Sequence, residues 1–240
     1  MRIGALQPGY LPWLGFFDQI LNTDLFILYD DLLYTKKSWR NRNYIKGPDG
    51  KILLSVPIRH EQGVNINQAR IDNSKPWQKK HLRRIIENYK FSAYYNKYIL
   101  FFQKLFEKRW EKLIDLDLKI IYFIVQELGI KTKLILSSEM GFEKKLKQKK
   151  HITDIKAERI IFFMKELGGS EFHEGAAGEN YINKKLIEKE SINIVFQNYQ
   201  HPVYIQQLGE FISHLSVIDL LFNHGEKSLD ILSSKRQHDE

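Results

Sequence analysis

Carboxylates, one imidazole and several hydroxyl- or glycine-bearing turns are the groups in this chain that could do chemistry. Asp30 and Asp31 directly follow the apolar run at residues 25–29. One of them suits a general base or a Mg²⁺ ligand. Adjacent carboxylates on an extended chain point to opposite sides, so the other is expected to cap a turn or pair with Arg40 or Arg42. His201 lies in FQNYQHPVYIQ, residues 196–206, beside Gln197, Tyr199, Tyr204 and Gln206. Its imidazole is the one best suited to proton transfer near neutral pH. The turn Ser137-Ser138-Glu139 offers hydroxyls and backbone amides to an anion, or caps a helix without any ligand. GAAG, residues 175–178, lets a phosphate approach the backbone at Gly175 and Gly178, or serves as a plain turn. Lys80 and Arg84, four apart with His81 between them, share a helix face that could grip a diphosphate or stand in solvent.

A second group of candidates belongs to residues 3–20, IGALQPGYLPWLGFFDQI. A short apolar strand there breaks into a stiff aromatic elbow and a helix starts at once. Pro8 and Pro12 fix two backbone dihedrals, while Gln7, Tyr10 and Trp13 give polar tips to a stacking floor for a nucleobase or sugar ring. Strand-to-helix corners are where α/β proteins hold ligands. Between residues 36 and 46 basic side chains alternate with Trp39, Asn41, Asn43 and Tyr44. Asn41 and Arg42 therefore join the candidate contacts to planar or phosphorylated ligands.

Composition narrows the chemistry. The 240 residues contain no cysteine, which excludes disulfides, thiol nucleophiles, thiolate zinc sites and iron–sulfur clusters. No HxH or HExxH spacing occurs, and Asp219, between His214 and His224, falls inside the apolar run SVIDLLF, so no permanent metal is expected. The formal net charge is +8. Lys36, Lys37, Arg40, Arg42 and Lys46 form one basic group, and lysines crowd residues 144–150, where they are expected to solvate a helix face. Such clustering favours a small anionic ligand, and nucleic acid is a further class of partner. No apolar run reaches the roughly 18 to 20 residues that span a bilayer, and the start lacks a basic-then-apolar signal. A cytoplasmic protein without membrane insertion is expected.

The elements that must position these groups can be read from periodicity. Apolar runs at 2–6 and 25–29 bracket a helix centred on 14–21, a β-α-β opening that demands parallel pairing. A hairpin turns at Gly47-Pro48-Asp49-Gly50, and residues 65–71 read as another short strand. Residues 77–128 carry apolar residues at helical spacing and predict two or three amphipathic helices, inserted as a lobe over about 76–129. A buried strand is expected at 133–136, then a basic insert to His151, a helix over 154–167 stopped by Gly168-Gly169, a strand at 171–173, a helix through Glu188 and a strand at 192–196. The expected fold is α/β, a mainly parallel open sheet flanked by helices with a helical insertion or cap, in a single unit whose polar tail, 233–240, frays.

Taken together, QPGYLPWLGF at 7–16, DDLLYTKKSWRNRNYIK at 30–46, WQKKHLRRIIENY at 77–89, LSSE at 136–139, FQNYQHPVYIQQLGEF at 196–211 and LSVIDLLFNHG at 215–225 resemble the WbqC-like family. The likeness covers almost the whole chain. It implies a bacterial role near O-antigen, lipopolysaccharide or nucleotide-sugar biosynthesis, with a nucleotide or nucleotide-linked donor as the only cofactor to expect. An acyl or aminoacyl transferase acting on an amino sugar fits that role, with His201 and Asp30 as proton acceptors. A charged tRNA enters as partner because it is one carrier of an aminoacyl group; a second copy of the chain is another candidate. A non-catalytic binding or assembly protein of the same pathway is the alternative. The spacing of WLGF, residues 13–16, also resembles the HxGH signature of nucleotidyltransferases, with both histidines replaced, by Trp13 and Phe16. The imidazoles that would stabilise a leaving phosphate are thus absent.

Overall fold

Along the chain run β1 (Arg2–Leu6), α1 (Leu14–Leu21), β2 (Leu25–Leu28), β3 (Arg42–Gly47), β4 (Gly50–Ser55), α2 (Trp77–Tyr89), α3 (Tyr95–Glu107), α4 (Leu113–Glu127), β5 (Lys133–Leu136), α5 (Ile155–Leu167), β6 (Glu171–Glu174), α6 (Lys184–Glu188), β7 (Asn193–Phe196), α7 (Ile218–His224) and α8 (Ser228–Ser233). The structure, a computed structural model, describes residues 1–60, 62–142, 145 and 154–234. Most of the basic insert at 144–151 and the tail from 235 lie outside the described residues. The chain divides into two compact units: Met1–Gln7, Phe16–Asp31 and Ile130–Tyr199 form the first, and Pro8–Gly15, Leu32–Gly129 and Gln200–Glu240 the second. No described helix is long and apolar enough to cross a membrane.

In the first unit five short runs make a parallel sheet of order β5-β2-β1-β6-β7. Side chains alternate between faces, so Ile3, Ala5, Leu25, Ile27, Phe172 and Ile194 share one side and bury against Ala157, Ile160, Phe163 and Met164 of α5. Each fully buried aliphatic or aromatic side chain contributes about 1.5–3 kcal/mol. On the opposite side Phe26 meets Phe16 of α1 edge-on at 6.0 Å. Gly4 faces that side because a Cβ there would come within 2.8 Å of Thr23 and 3.0 Å of the Phe26 ring. Asp154 starts α5 by accepting from the backbone of Lys156 at 2.9 Å and Ala157 at 3.1 Å. Gly168 ends it in the left-handed region.

The 133–136 run is a strand, but not a buried one. Lys133 is exposed and the other three residues are half-buried, because β5 is an edge strand paired only with β2. Strand order reverses at β1: β2 and β5 lie to one side, β6 and β7 to the other. The carboxyl ends beside such a reversal are where an open α/β sheet leaves a crevice. This α/β architecture carries the first site described below.

The second unit holds the β3–β4 hairpin, closed between Gly47 and Gly50, and helices α2, α3, α4, α7 and α8. Its interior is aromatic. Phe222 of α7 stacks on Tyr89 of α2 at 4.8 Å and also meets Tyr98 and Phe102 of α3. Residues 65–71 are not a strand: Ile66–Gln68 is a single 3₁₀ turn flanked by isolated bridges from Leu33 to Asn65 and from Ile58 to Ile71. The Gln68 amide side chain accepts from the Asn65 backbone at 3.2 Å, and this local bond competes with strand pairing.

Candidate functional site

Parity along the strands decides which side chains reach the carboxyl edge on the α5 face. Tyr29 continues Leu25 and Ile27, and Glu174 continues Phe172. From α5, Arg159 closes a 3.0 Å ion pair on Asp31, each side chain only 8% exposed. The Arg159 guanidinium lies 4.5 Å from the Phe142 ring centre, so an apolar wall limits its access to water.

Asp30 and Asp31 do not diverge as an extended chain requires. The strand ends at Leu28, and both carboxylates converge on Ser137, whose Oγ lies 2.6 Å from Asp31 Oδ1 and 3.2 Å from Asp30 Oδ1. A hydroxyl carries one proton, so the shorter contact is the donation to Asp31. Asp30 takes the Ser138 backbone N–H at 3.0 Å and its hydroxyl at 2.7 Å. The serine turn is therefore not an open anion cradle, because the Asp30 carboxylate occupies that position. Asp31, in turn, pairs with Arg159.

Glu174 is the carboxyl group set apart. It is buried at the end of β6, and burial raises its pKa to about 7, with the Gly175 N–H at 3.1 Å and the Lys156 charge pulling the other way. Tyr29 is pushed upward by burial and by Glu174, against the pull of Arg159. Tyr181 is raised by burial and by Glu174, and Lys156 Nζ stands 3.8 Å from the centre of its ring. GAAG packs around Glu174: Gly175 donates to its carboxylate, and a Cβ at Gly178 would collide with its side chain. The signal for Tyr29, Glu174, Arg159 and Lys156 was present in the sequence as strand parity carried to Glu174 at the end of β6 and to Tyr29 one step past β2, and as the start of α5.

The arrangement has a definite chemistry. Glu174, Asp31 and Arg159 all act on the Tyr29 hydroxyl, Lys156 acts on Glu174, and Glu174 is the acid whose pKa lies near neutrality. An acid with such a pKa can take a proton from a bound group near neutral pH. Nearby in the same unit, Gln197 donates to Asp18 at 2.6 Å, burial raises the pKa of the Tyr199 hydroxyl, and Gln7 stands half-buried just past β1.

Residues 7–231 match the WbqC-like protein family. The chain belongs to that family. The uncharacterized protein Rv1507c of Mycobacterium tuberculosis is 30% identical over 240 residues, 98% of this chain and 99% of that protein. No solved structure matches the chain.

The second unit of this WbqC-like protein holds the remaining candidates. Tyr10 is not part of an open stacking floor. The elbow turns it inward, its N–H bonded to the Arg40 carbonyl at 3.1 Å, and its buried hydroxyl meets His81 Nδ1 at 2.8 Å. The His81 ring also donates to the Ser55 carbonyl, which leaves Nδ1 to accept the Tyr10 proton. Burial lowers the His81 pKa to about 4. Trp13 is half-buried and stacks on His214 at 5.3 Å, and His214 lies 5.0 Å from His201. The elbow and the late histidine segment thus meet through His214. Both nitrogens of His201 are engaged by backbone: Nε2 accepts from His214 N at 3.1 Å, and Nδ1 donates to the Pro202 carbonyl at 2.9 Å.

Tyr204 is buried and donates to Asp219 at 2.9 Å, as Tyr89 does at 3.0 Å. Burial raises the pKa of Asp219. Asn41 donates to the Val56 carbonyl at 2.7 Å, and Arg42 to the Lys37 carbonyl. Lys46 is interior, its ammonium on Gln206 and the Glu210 carbonyl, so the basic group at 36–46 is not one surface patch. Lys80 and Arg84 are exposed on α2, where Arg84 approaches Glu87 at 3.7 Å. Among the described residues no three His, Asp or Glu side chains are grouped to hold a metal ion.

Proposed function

We propose that this WbqC-like protein is an enzyme of bacterial surface-polysaccharide or nucleotide-sugar biosynthesis that transfers an acyl or aminoacyl group to the amine of an amino sugar. One observation carries the reading: the buried Glu174, poised to titrate at about 7 at the carboxyl edge of a parallel sheet, beside Tyr29, on which Asp31 and Arg159 also act. An amino sugar arrives as an ammonium ion and becomes a nucleophile only when it gives up a proton. Glu174 takes that proton. The amine nitrogen then bonds to the donor's acyl carbon, the bond from that carbon to the carrier oxygen breaks, Glu174 returns its proton to the departing oxygen, and the surplus N–H proton of the new amide passes to solvent. Proton transfer rests on Glu174 and not on His201, whose ring nitrogens are both committed to backbone groups. The donor is an activated acyl or aminoacyl ester, of which an aminoacyl-tRNA is one form.

Purified protein incubated with nucleotide-linked amino sugars and a panel of activated acyl donors, read by mass spectrometry, tests this. Product formation is expected, rising with pH through about 7 and lost in Glu174→Gln. No turnover and no thermal stabilisation across a broad panel, or undiminished turnover in Glu174→Gln, would overturn it.

A further inference from the structure

The second unit carries a recess of about 810 Å³, lined by Arg59, His60, Asp72, Ser74, Lys75 and Arg109 together with Ile58 and Asn73. Backbone bonds tie its walls together. Arg59 donates to the Arg70 carbonyl at 2.9 Å, Asp72 to Pro57 at 2.8 Å, and Ile71 to Glu111 at 2.9 Å. Side chains from three separate stretches of sequence are thereby held around one hollow.

Its charge is predominantly positive. Arg59, Lys75 and Arg109 face a single lining carboxylate, Asp72, which accepts the Ser74 N–H at 3.1 Å and hydroxyl at 2.6 Å and lies 4.0 Å from the Lys75 ammonium. Those two bonds, with Lys75 and Arg59 nearby, hold the Asp72 pKa below the usual carboxylate value. Arg109 keeps a 2.7 Å bond to Glu111, outside the lining. Lys36 adds a cation at the rim by donating to His60 Nε2 at 2.7 Å. Helix α2 starts at Trp77, just past Lys75, with no side-chain cap and no acidic residue in its first turn. The positive end of its dipole is thus uncompensated.

We propose that this recess binds the diphosphate group of a small phosphorylated ligand. The recess is open to solvent and has room for such a group. Nucleic acid presents its phosphates as a regularly spaced row and is met by a stripe of basic residues, whereas these cations converge. Two adjacent phosphates place several negative charges within reach of Arg59, Lys75 and Arg109, and arginine suits them because its donors form a planar fork. The recess belongs to the second unit, and its reading does not rest on the Glu174 chemistry.

Titration calorimetry of the full chain with inorganic pyrophosphate, with orthophosphate and unfractionated tRNA as comparisons, tests the proposal. One pyrophosphate is expected per chain, binding more tightly than orthophosphate and weakening as salt is raised. The double variant Arg59→Ala/Arg109→Ala should weaken it roughly tenfold or more. Lys227→Ala, an exposed lysine elsewhere in the unit, should leave it unchanged. Circular dichroism checks that each variant is folded, and the separate variant Lys75→Ala, in which the arginine contacts remain, should weaken binding less than the double change. Absence of pyrophosphate binding, equal binding by the double variant, or retention of tRNA alone would overturn the proposal.

Discussion

Asp31 and Arg159, 128 residues apart, form a 3.0 Å ion pair that is almost wholly withdrawn from solvent. Breaking a buried pair from one side strands a charge, and the usual loss is about 3–5 kcal/mol. Arg159→Met is therefore expected to lower unfolding stability by about that amount, measured by urea titration. Asp31→Asn in the same chain should restore part of it, because the stranded carboxylate is then gone. Equal stability of the single and double variants would count against the pair.

Glu174 makes a signed pH prediction. Its folded pKa of about 7 stands above its ordinary 4.5, so between those values the native state binds more protons than the unfolded chain. Its contribution to stability is greatest in acid and falls as pH rises through that window, by on the order of 3 kcal/mol. Glu174→Gln should remove the decline. The variant should gain on the parent between pH 5 and about 7.5, and a pH-independent difference would remove the assignment.

His81 acts in the opposite direction. Its folded pKa of about 4 lies below the ordinary 6.5, so the unfolded chain binds the extra proton and stability is lost as pH falls from 6.5 towards 4. Imidazole NMR shifts should show a neutral ring at pH 5.5. Tyr10→Phe, which leaves Nδ1 without its donor, should cost about 1–3 kcal/mol. A ring that titrates near 6.5 in the parent would contradict the buried hydrogen bond.

Ser137 and Ser138 are expected to matter as donors to carboxylates. Ser138→Ala removes the 2.7 Å hydroxyl contact to Asp30 while keeping the backbone N–H, and should cost about 1–3 kcal/mol. Ser137→Ala should cost at least as much, since its hydroxyl lies within reach of both aspartates. The two single variants, compared by thermal unfolding, rank these contacts, and two neutral changes would show that the carboxylates take their donors from elsewhere.

Much of the framework was legible in the sequence because local rules and burial agree there. Apolar runs at 2–6 and 25–29 on either side of a helix set parallel strands, helical spacing set α2 to α4, and Asp154 with Gly168 bounded α5. The 65–71 stretch misled because Ile66, Ala69 and Ile71 are buried as strand residues would be, while Asn65 and Gln68 bond locally. Site residues were harder. Asp30, Ser137 and Ser138 were marked separately, but their convergence depends on β2 and β5 being neighbours, which no local pattern encodes. Lys46 looked like surface charge in a basic run, yet partners from residues 206 and 210 draw it inside. Arg59, Lys75 and Arg109 were passed over because about fifty positions separate cations that the fold gathers into one hollow.

The place of β1 in the middle of its sheet has a consequence for biosynthesis. Arg2 meets Glu171 across 169 residues of chain, so β1, once synthesised, waits with one edge unpaired until β6 has been translated. Vectorial synthesis thus exposes an apolar template throughout that interval. Such a nascent chain calls for chaperone cover, and it makes slow translation before residue 171 a hazard for aggregation.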